Sequence, residues 1–204
     1  ADYGYDAANM PINGSDNNQV EEDTLSVYGQ VTMDGDVGGM PVNVVAGLRW
    51  EETDVTSTSQ QAVPNAFVWE SNNDFSFSLG TGAENLVSEY TYSTLLPNLD
   101  VSVDITDSLK GRVSFSKTLA RPEYSQMYTA TTVNVPSRIT HLGDSPSANR
   151  GNASLDPLES NNFDVSLEYY YGDANYFSVG YYQKNVSNFI GIQQNNESLF
   201  GLRD

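Results

Sequence analysis

The sequence predicts an all-β fold: an antiparallel meander of about six to eight long strands, built like part of a transmembrane β-barrel with long extracellular loops. Three observations predict it. Apolar and polar residues alternate with period two through six segments, tight turns alternate with connections of tens of residues, and no window holds the ~18 apolar residues that a membrane helix needs.

The first strand sets Leu25, Val27, Gly29, Val31 and Met33 on one face and Thr24, Ser26, Tyr28, Gln30 and Thr32 on the other. The second sets Val42, Val44, Ala46, Leu48 and Trp50 against Asn43, Val45, Gly47, Arg49 and Glu51, with Val45 out of key. Leu99, Val101, Val103 and Ile105 then oppose Asp100, Ser102 and Asp104. In the fourth segment Leu109, Gly111, Val113, Phe115 and Leu119 oppose Arg112, Ser114, Ser116 and Thr118, and Lys117 interrupts the apolar row. Phe163, Val165, Leu167, Tyr169 and Tyr171 oppose Asp164, Ser166, Glu168 and Tyr170, and Phe177, Val179 and Tyr181 oppose Ser178, Gly180 and Tyr182. Turn-forming residues place short links at Asp34 to Pro41, Thr106 to Ser108 and Gly172 to Asn175. Long loops are expected from about Glu52 to Tyr90 and from Ala120 to Asn162.

Alternation by itself suits a soluble antiparallel sandwich as well as a barrel, because both bury one face and wet the other. The connections distinguish them: tight turns at one end and long excursions at the other are the habit of outer-membrane barrels, and strands of ten or more residues suit a tilted span of the hydrocarbon layer. On that reading Tyr169, Tyr171, Phe177 and Tyr181 near strand ends would form an interfacial girdle.

Composition excludes several functions. Lys and Arg total 9 against 27 for Asp and Glu, a formal charge of -18, which argues against a nucleic-acid partner. The absence of Cys removes disulfide scaffolds, thiol catalysis and Cys-ligated zinc. Residues 1 to 14 carry neither the basic nor the apolar region of a signal peptide.

Two stretches carry a resemblance. The first is Val113-Ser114-Phe115-Ser116-Lys117-Thr118-Leu119-Ala120-Arg121-Pro122-Glu123-Tyr124. The second, Gly151 to Tyr171, reads GNASLDPLESNNFDVSLEYYY. They resemble the S-K-x-L-A-R-P segment and the G-N-P-x-L-K-P-E-x-S-x-N-x-D-x-S-L-E-Y-Y-F signature of TonB-dependent outer-membrane receptors, with Ala153 where Pro is usual and Asp156 where Lys is common. Pro157 fixes φ and denies a ladder donor while Gly151 permits unusual geometry, so the motif sets how a loop re-enters the sheet. The resemblance covers most of residues 21 to 190 and is nearer the oligosaccharide-uptake branch than the siderophore branch.

Several expectations follow from it. Residues 1–204 would be a partial receptor barrel, from which the N-terminal plug with its energy-coupling box and the C-terminal strands of a 22-strand barrel are absent. The family's role is active import of a nutrient, an oligosaccharide or a ferric siderophore, across the bacterial outer membrane, with no enzymatic activity and no cofactor. Its partners would be outer-membrane lipid, the receptor's own plug, the TonB complex acting through that plug and a small nutrient ligand.

Catalytic chemistry finds little support in the residues. The single histidine, His141, cannot build a triad or a multi-histidine metal site. Asp34-Gly35-Asp36 opens like a calcium loop but lacks the downstream ligands, so it reads as a turn, and no metal site is expected. Asn-x-Ser/Thr triplets at Asn13, Asn152, Asn185 and Asn196 reflect an Asn- and Ser-rich composition. Candidate ligand contacts are the loop residues able to stack on a sugar or hold an anion: Trp69, Tyr124, Tyr128, Arg138, His141 and Arg150. Asp100, Asp104, Asp164 and Glu168 would face the lumen. The competing functional readings are a secreted carbohydrate-binding β-sandwich and an all-β hydrolase using carboxylates such as Asp144 and Asp156, the latter with no supporting spacing.

Overall fold

The computed structural model describes residues 18–71, 74–134, 147–172 and 175–196. Its strands are β1 (Asn18–Val37), β2 (Met40–Ser71), β3 (Asp74–Thr106), β4 (Leu109–Ala120), β5 (Thr132–Asn134), β6 (Ser147–Asn149), β7 (Leu158–Tyr170) and β8 (Tyr176–Ser187). Six of them form one antiparallel sheet in the order β1-β2-β3-β4-β7-β8, and β5 pairs with β6 in a separate two-stranded ladder. Helix among the described residues is confined to one 3-10 turn, Tyr124–Met127.

All three expected hairpin turns lie at one end of the sheet. The first is tighter than the expected span from Asp34 to Pro41, because the ladder continues to Val37 opposite Met40. Only Gly38 and Gly39 remain, at φ of +68° and +86°. Two successive positive-φ residues match the strand twist in a two-residue hairpin, a conformation open to glycine at little cost. The Asp36 carboxylate accepts a hydrogen bond of 2.7 Å from the Gly39 amide. Asp107 and Ser108 turn β3 into β4 beside an irregularity between Asp104 and Thr106. Gly172 and Asn175 close the third turn, where the Tyr171 amide donates to the Asn175 carbonyl at 3.1 Å.

Register aligns the two kinds of face across the whole sheet. Val31, Ala46, Leu99, Phe115 and Phe163 share one outer rung, and Met33, Val44, Val101, Val113, Val165 and Tyr181 share the next. This apolar face is open: Leu25 is 63% exposed and Phe177 63%, and no second sheet layer packs on it among the described residues. Tyr169 and Phe177 oppose one another at the turn end of the face and Tyr171 follows them, as girdle positions should. Tyr181 departs from that expectation, lying two rungs further in, opposite Val165.

The expected loop from Glu52 to Tyr90 is instead strand. β2 and β3 run on as one hairpin beyond Trp50, paired from Glu51–Thr94 to Ala62–Ala83 and, after register shifts, as far as Ser71–Asp74. The outer row here turns polar, through Glu52, Asp54 and Thr56, so the hydrophobic half of the alternation vanishes. β-branched and aromatic residues such as Thr53, Val55, Thr58, Tyr90 and Tyr92 persist and keep the backbone extended. The opposite row, Glu51, Thr53, Val55, Ser57, Ser59 and Gln61, is buried. The small core sits on this side, where Val55, Tyr92 and Met127 pack with Val20, Tyr90 and Leu155.

Candidate functional site

What buries that polar row is the connection between β4 and β7, laid over it as a strap. The Ser57 hydroxyl donates to the Met127 carbonyl at 2.8 Å, the Thr129 amide donates to Ser59 Oγ at 3.2 Å, and the Thr131 amide donates to Gln61 Oε1 at 2.7 Å. Every second residue of the strap therefore meets every second residue of β2, with side chains of one supplying what a neighbouring backbone would supply in a ladder. Buried backbone groups need such partners, and the Ser, Ser and Gln residues fit the task because they are short polar groups already on the facing row.

The strap is double. The Gly151 amide donates to the Tyr128 carbonyl at 2.9 Å and the Asn152 amide to the Gln126 carbonyl at 2.8 Å, continuing the β5–β6 pairing. A Cβ on Gly151 would collide with both of those carbonyl oxygens, so the close approach requires glycine there. Ala153 is buried at 1% exposure, and Pro122 and Pro157 are buried as well. Asn162, in the second recognised stretch, turns its amide toward Ser116 and Thr118 of the first, at 3.4 and 3.2 Å, while its oxygen accepts from Ser160 Oγ at 2.8 Å. The two motifs thus bind one another, and their joint role is architectural. The Tyr90 hydroxyl donates to Asp156 Oδ1 at 2.5 Å. That hydrogen bond, then burial, then the carboxylate's charge raise the Tyr90 phenol above its ordinary pKa.

At the foot of the strap stands a cationic cluster. Glu51, with a side chain only 9% exposed, accepts from Arg49 Nε at 2.5 Å through Oε1 and from Arg121 Nη2 at 3.3 Å through Oε2. Arg121 also reaches Thr24 Oγ1 at 3.5 Å, and Thr24 and Thr53 share a hydrogen bond of 3.0 Å. Lower on the polar face, Lys110 pairs with Asp104 at 3.0 Å and Arg112 with Glu168 at 3.1 Å, so these two acids are spent on structure. Asp100 and Asp164 flank Ser114 and form no ion pair among the described residues. No group of three His, Cys or carboxylate side chains among the described residues is placed to hold a metal ion.

Of the residues singled out from sequence, Tyr124 lies in the 3-10 turn and is exposed, Tyr128 is half-buried in the strap, and Arg150 is exposed next to Gly151. The Gly151–Tyr128 hydrogen bond brings Arg150 and Tyr128 to neighbouring backbone. Trp69 belongs to the far part of β2, opposite Phe75, away from the others. Arg138, His141 and Asp144 lie outside the described residues. Arg49, Glu51 and Arg121 were not among the candidates. Their signal was faint: Arg49 and Glu51 are two steps apart on a polar row, and Arg121 opens the connection immediately after β4.

A family model described as the TonB dependent receptor-like β-barrel matches residues 1–203, and the chain belongs to that family. Among solved structures, the ferric enterobactin receptor PfeA of Pseudomonas aeruginosa, in complex with enterobactin, is similar at 13% identity and a TM-score of 0.41, over 83% of this chain and 28% of that one. The siderophore receptor PirA of Acinetobacter baumannii is similar at 13% identity and a TM-score of 0.40, over 82% and 27%. The chain thus spans a little over a quarter of the length of those receptors. No curated protein sequence matches.

Proposed function

We propose that this chain forms part of the wall of a bacterial outer-membrane receptor that imports a nutrient, an oligosaccharide in preference to a ferric siderophore, and that it carries out no chemical reaction itself. Residues 1–204 belong wholly to the barrel on this reading, and the plug and the remaining strands come from other parts of the receptor. The TonB complex drives uptake through the plug.

The observation that carries the reading is the single-layer sheet with one open apolar face, in a chain of this family. On β2 that face runs unbroken through Met40, Val42, Val44, Ala46, Leu48 and Trp50, ten steps or about 33 Å along the strand, and a barrel tilt of roughly 40° reduces this to about 25 Å of height, the thickness of an outer-membrane apolar band. A secreted sandwich would bury the face beneath a second sheet. On this reading Tyr124, Tyr128 and Arg150, carried by the strap on the polar side, stand at the rim of the lumen, where such residues meet arriving ligand. Preference for an oligosaccharide rests on the Gly151 to Tyr171 signature.

Uptake of labelled oligosaccharides by cells carrying the complete receptor tests the proposal. Accumulation above the external concentration should require both the receptor and an intact TonB complex. Equal accumulation with and without TonB refutes active import, and TonB-dependent uptake of ferric siderophores alone refutes the cargo.

A further inference from the structure

We infer that Arg49 and Arg121, sharing Glu51, form a binding site on the lumen wall for an anionic substituent of the imported ligand, a carboxylate in the case of an oligosaccharide. The inference rests on the import reading, which it deepens by naming the ligand's charge.

Two guanidiniums on one carboxylate leave a net charge of +1. In a chain of -18 with 9 basic residues, that concentration of cation on one spot of the polar face is unusual. Glu51 is consumed: its side chain is almost wholly covered, and both oxygens are bound by the two arginines. The arginines are not consumed. Their side chains are 44% and 36% exposed, and each guanidinium has five N–H donors, of which Arg49 shows one engaged and Arg121 one nitrogen. Glu51 therefore acts as a holder, orienting two forks whose remaining donors suit bidentate contact with a carboxylate.

The surroundings favour a sugar acid. Tyr28 is the register partner of Arg49 on β1, on the same face and 74% exposed, an aromatic surface beside the cation on which a pyranose ring can lie. One rung below, Gly47 has no side chain and the Asn98 carboxamide covers it, offering a donor and an acceptor for hydroxyls. Other acids of this face stand apart: Asp100 and Asp164 lie two rungs below Arg49, and Glu22 lies three rungs above, on the rung of Val55 under the strap.

The test uses the complete receptor in detergent, with its plug, and three probes: tetragalacturonate, the neutral maltotetraose, and a ferric tris-catecholate. Wild type should bind tetragalacturonate at least ten-fold more tightly than maltotetraose. Arg49→Gln leaves Glu51 paired with Arg121 and should abolish most of that preference, about ten-fold, while Arg49→Lys retains part of it. The salt dependence of tetragalacturonate binding should also become shallower in Arg49→Gln, which a purely structural role for Arg49 would not cause. Equal binding of both tetrasaccharides by wild type overturns the anion site and leaves the import reading standing. A preference that survives Arg49→Gln and Arg121→Gln together also overturns it, as does binding of none of the three probes. Binding of the ferric catecholate alone, weakened by Arg49→Gln, supports the anion site and overturns the oligosaccharide cargo.

Discussion

An arginine at Val113 and an arginine at Ser114, adjacent residues of β4, address opposite faces of the sheet and should have opposite fates. Val113 lies four residues from the turn end of the apolar band, about 13 Å along the strand and, at a tilt of roughly 40°, about 10 Å into a layer about 25 Å thick. Near the midplane an arginine on the lipid face costs roughly 2–4 kcal/mol, a factor of about 30 to 800 in the folding equilibrium. Ser114 points to the polar face between Asp100 and Asp164, where a cation meets water and two carboxylates that form no ion pair among the described residues, so Ser114→Arg should be close to neutral. Leu167→Arg is an internal control. Its register partner is Gly111, one rung inside Tyr169 and about 5 Å deep, so its cost should fall to about 1 kcal/mol, toward the interfacial value. The folded fraction of the complete receptor in phospholipid vesicles, read by heat modifiability across a urea series, measures all three. Indistinguishable midpoints for Val113→Arg and Ser114→Arg refute the assignment of faces, and a larger loss at Leu167 than at Val113 refutes the depth scale.

Three further outcomes are expected. Gly151→Val should release the strap by forcing a side chain against the Gln126 and Tyr128 carbonyls, costing about 1–3 kcal/mol locally; faster proteolysis between Ala120 and Leu158 with an intact sheet is the readout, and unchanged protection contradicts the close approach. The Tyr90–Asp156 contact needs the protonated phenol, whose pKa is raised in the folded state, so the contact is fully present below the ordinary tyrosine range near 10 and is lost as pH climbs through the raised value. Amide exchange of the strap around Leu155 should accelerate there in wild type and lose that pH dependence in Tyr90→Phe. The chain on its own, with both edge strands unpaired and the apolar face bare, should aggregate without detergent, whereas a monodisperse monomer with cooperative melting in plain buffer would contradict an uncovered face.

The six strands and the assignment of residues to faces were legible because lipid and water on opposite sides impose the strongest period-two signal a strand can carry. Leu25 to Met33 and Phe163 to Tyr169 read directly. Beyond Trp50 the residues on both faces of the hairpin are mainly polar, so Glu52, Asp54 and Thr56 offer no contrast with Glu51, Thr53 and Ser57, although the latter row is buried beneath the strap, and the segment reads as a loop. The strap was illegible for another reason: its fixation depends on Ser57, Ser59 and Gln61, residues seventy positions away whose identity is unremarkable anywhere else on the polar face. The cationic cluster required the same long-range closure, since Arg121 reaches Glu51 only after β4 has peeled away from β3 beyond Ser116.

Every junction in the main sheet but one joins strands adjacent in sequence, and such hairpins can zip from a turn a few residues long. The exception is β4 with β7, whose ends are separated by roughly 37 residues; closing that interval costs about 2.5 kcal/mol more than closing a two-residue turn, at about 0.6 kcal/mol for each doubling. No local turn dictates its register, and a slip of one residue would exchange the lumenal and lipid rows of everything that follows. Both recognised motifs sit at this junction, with Asn162 lodged between Ser116 and Thr118 and Gly151 seated against the strap. In assembly terms they are an index mark: they let a growing wall count its strands correctly across the single gap where the turn geometry cannot do the counting.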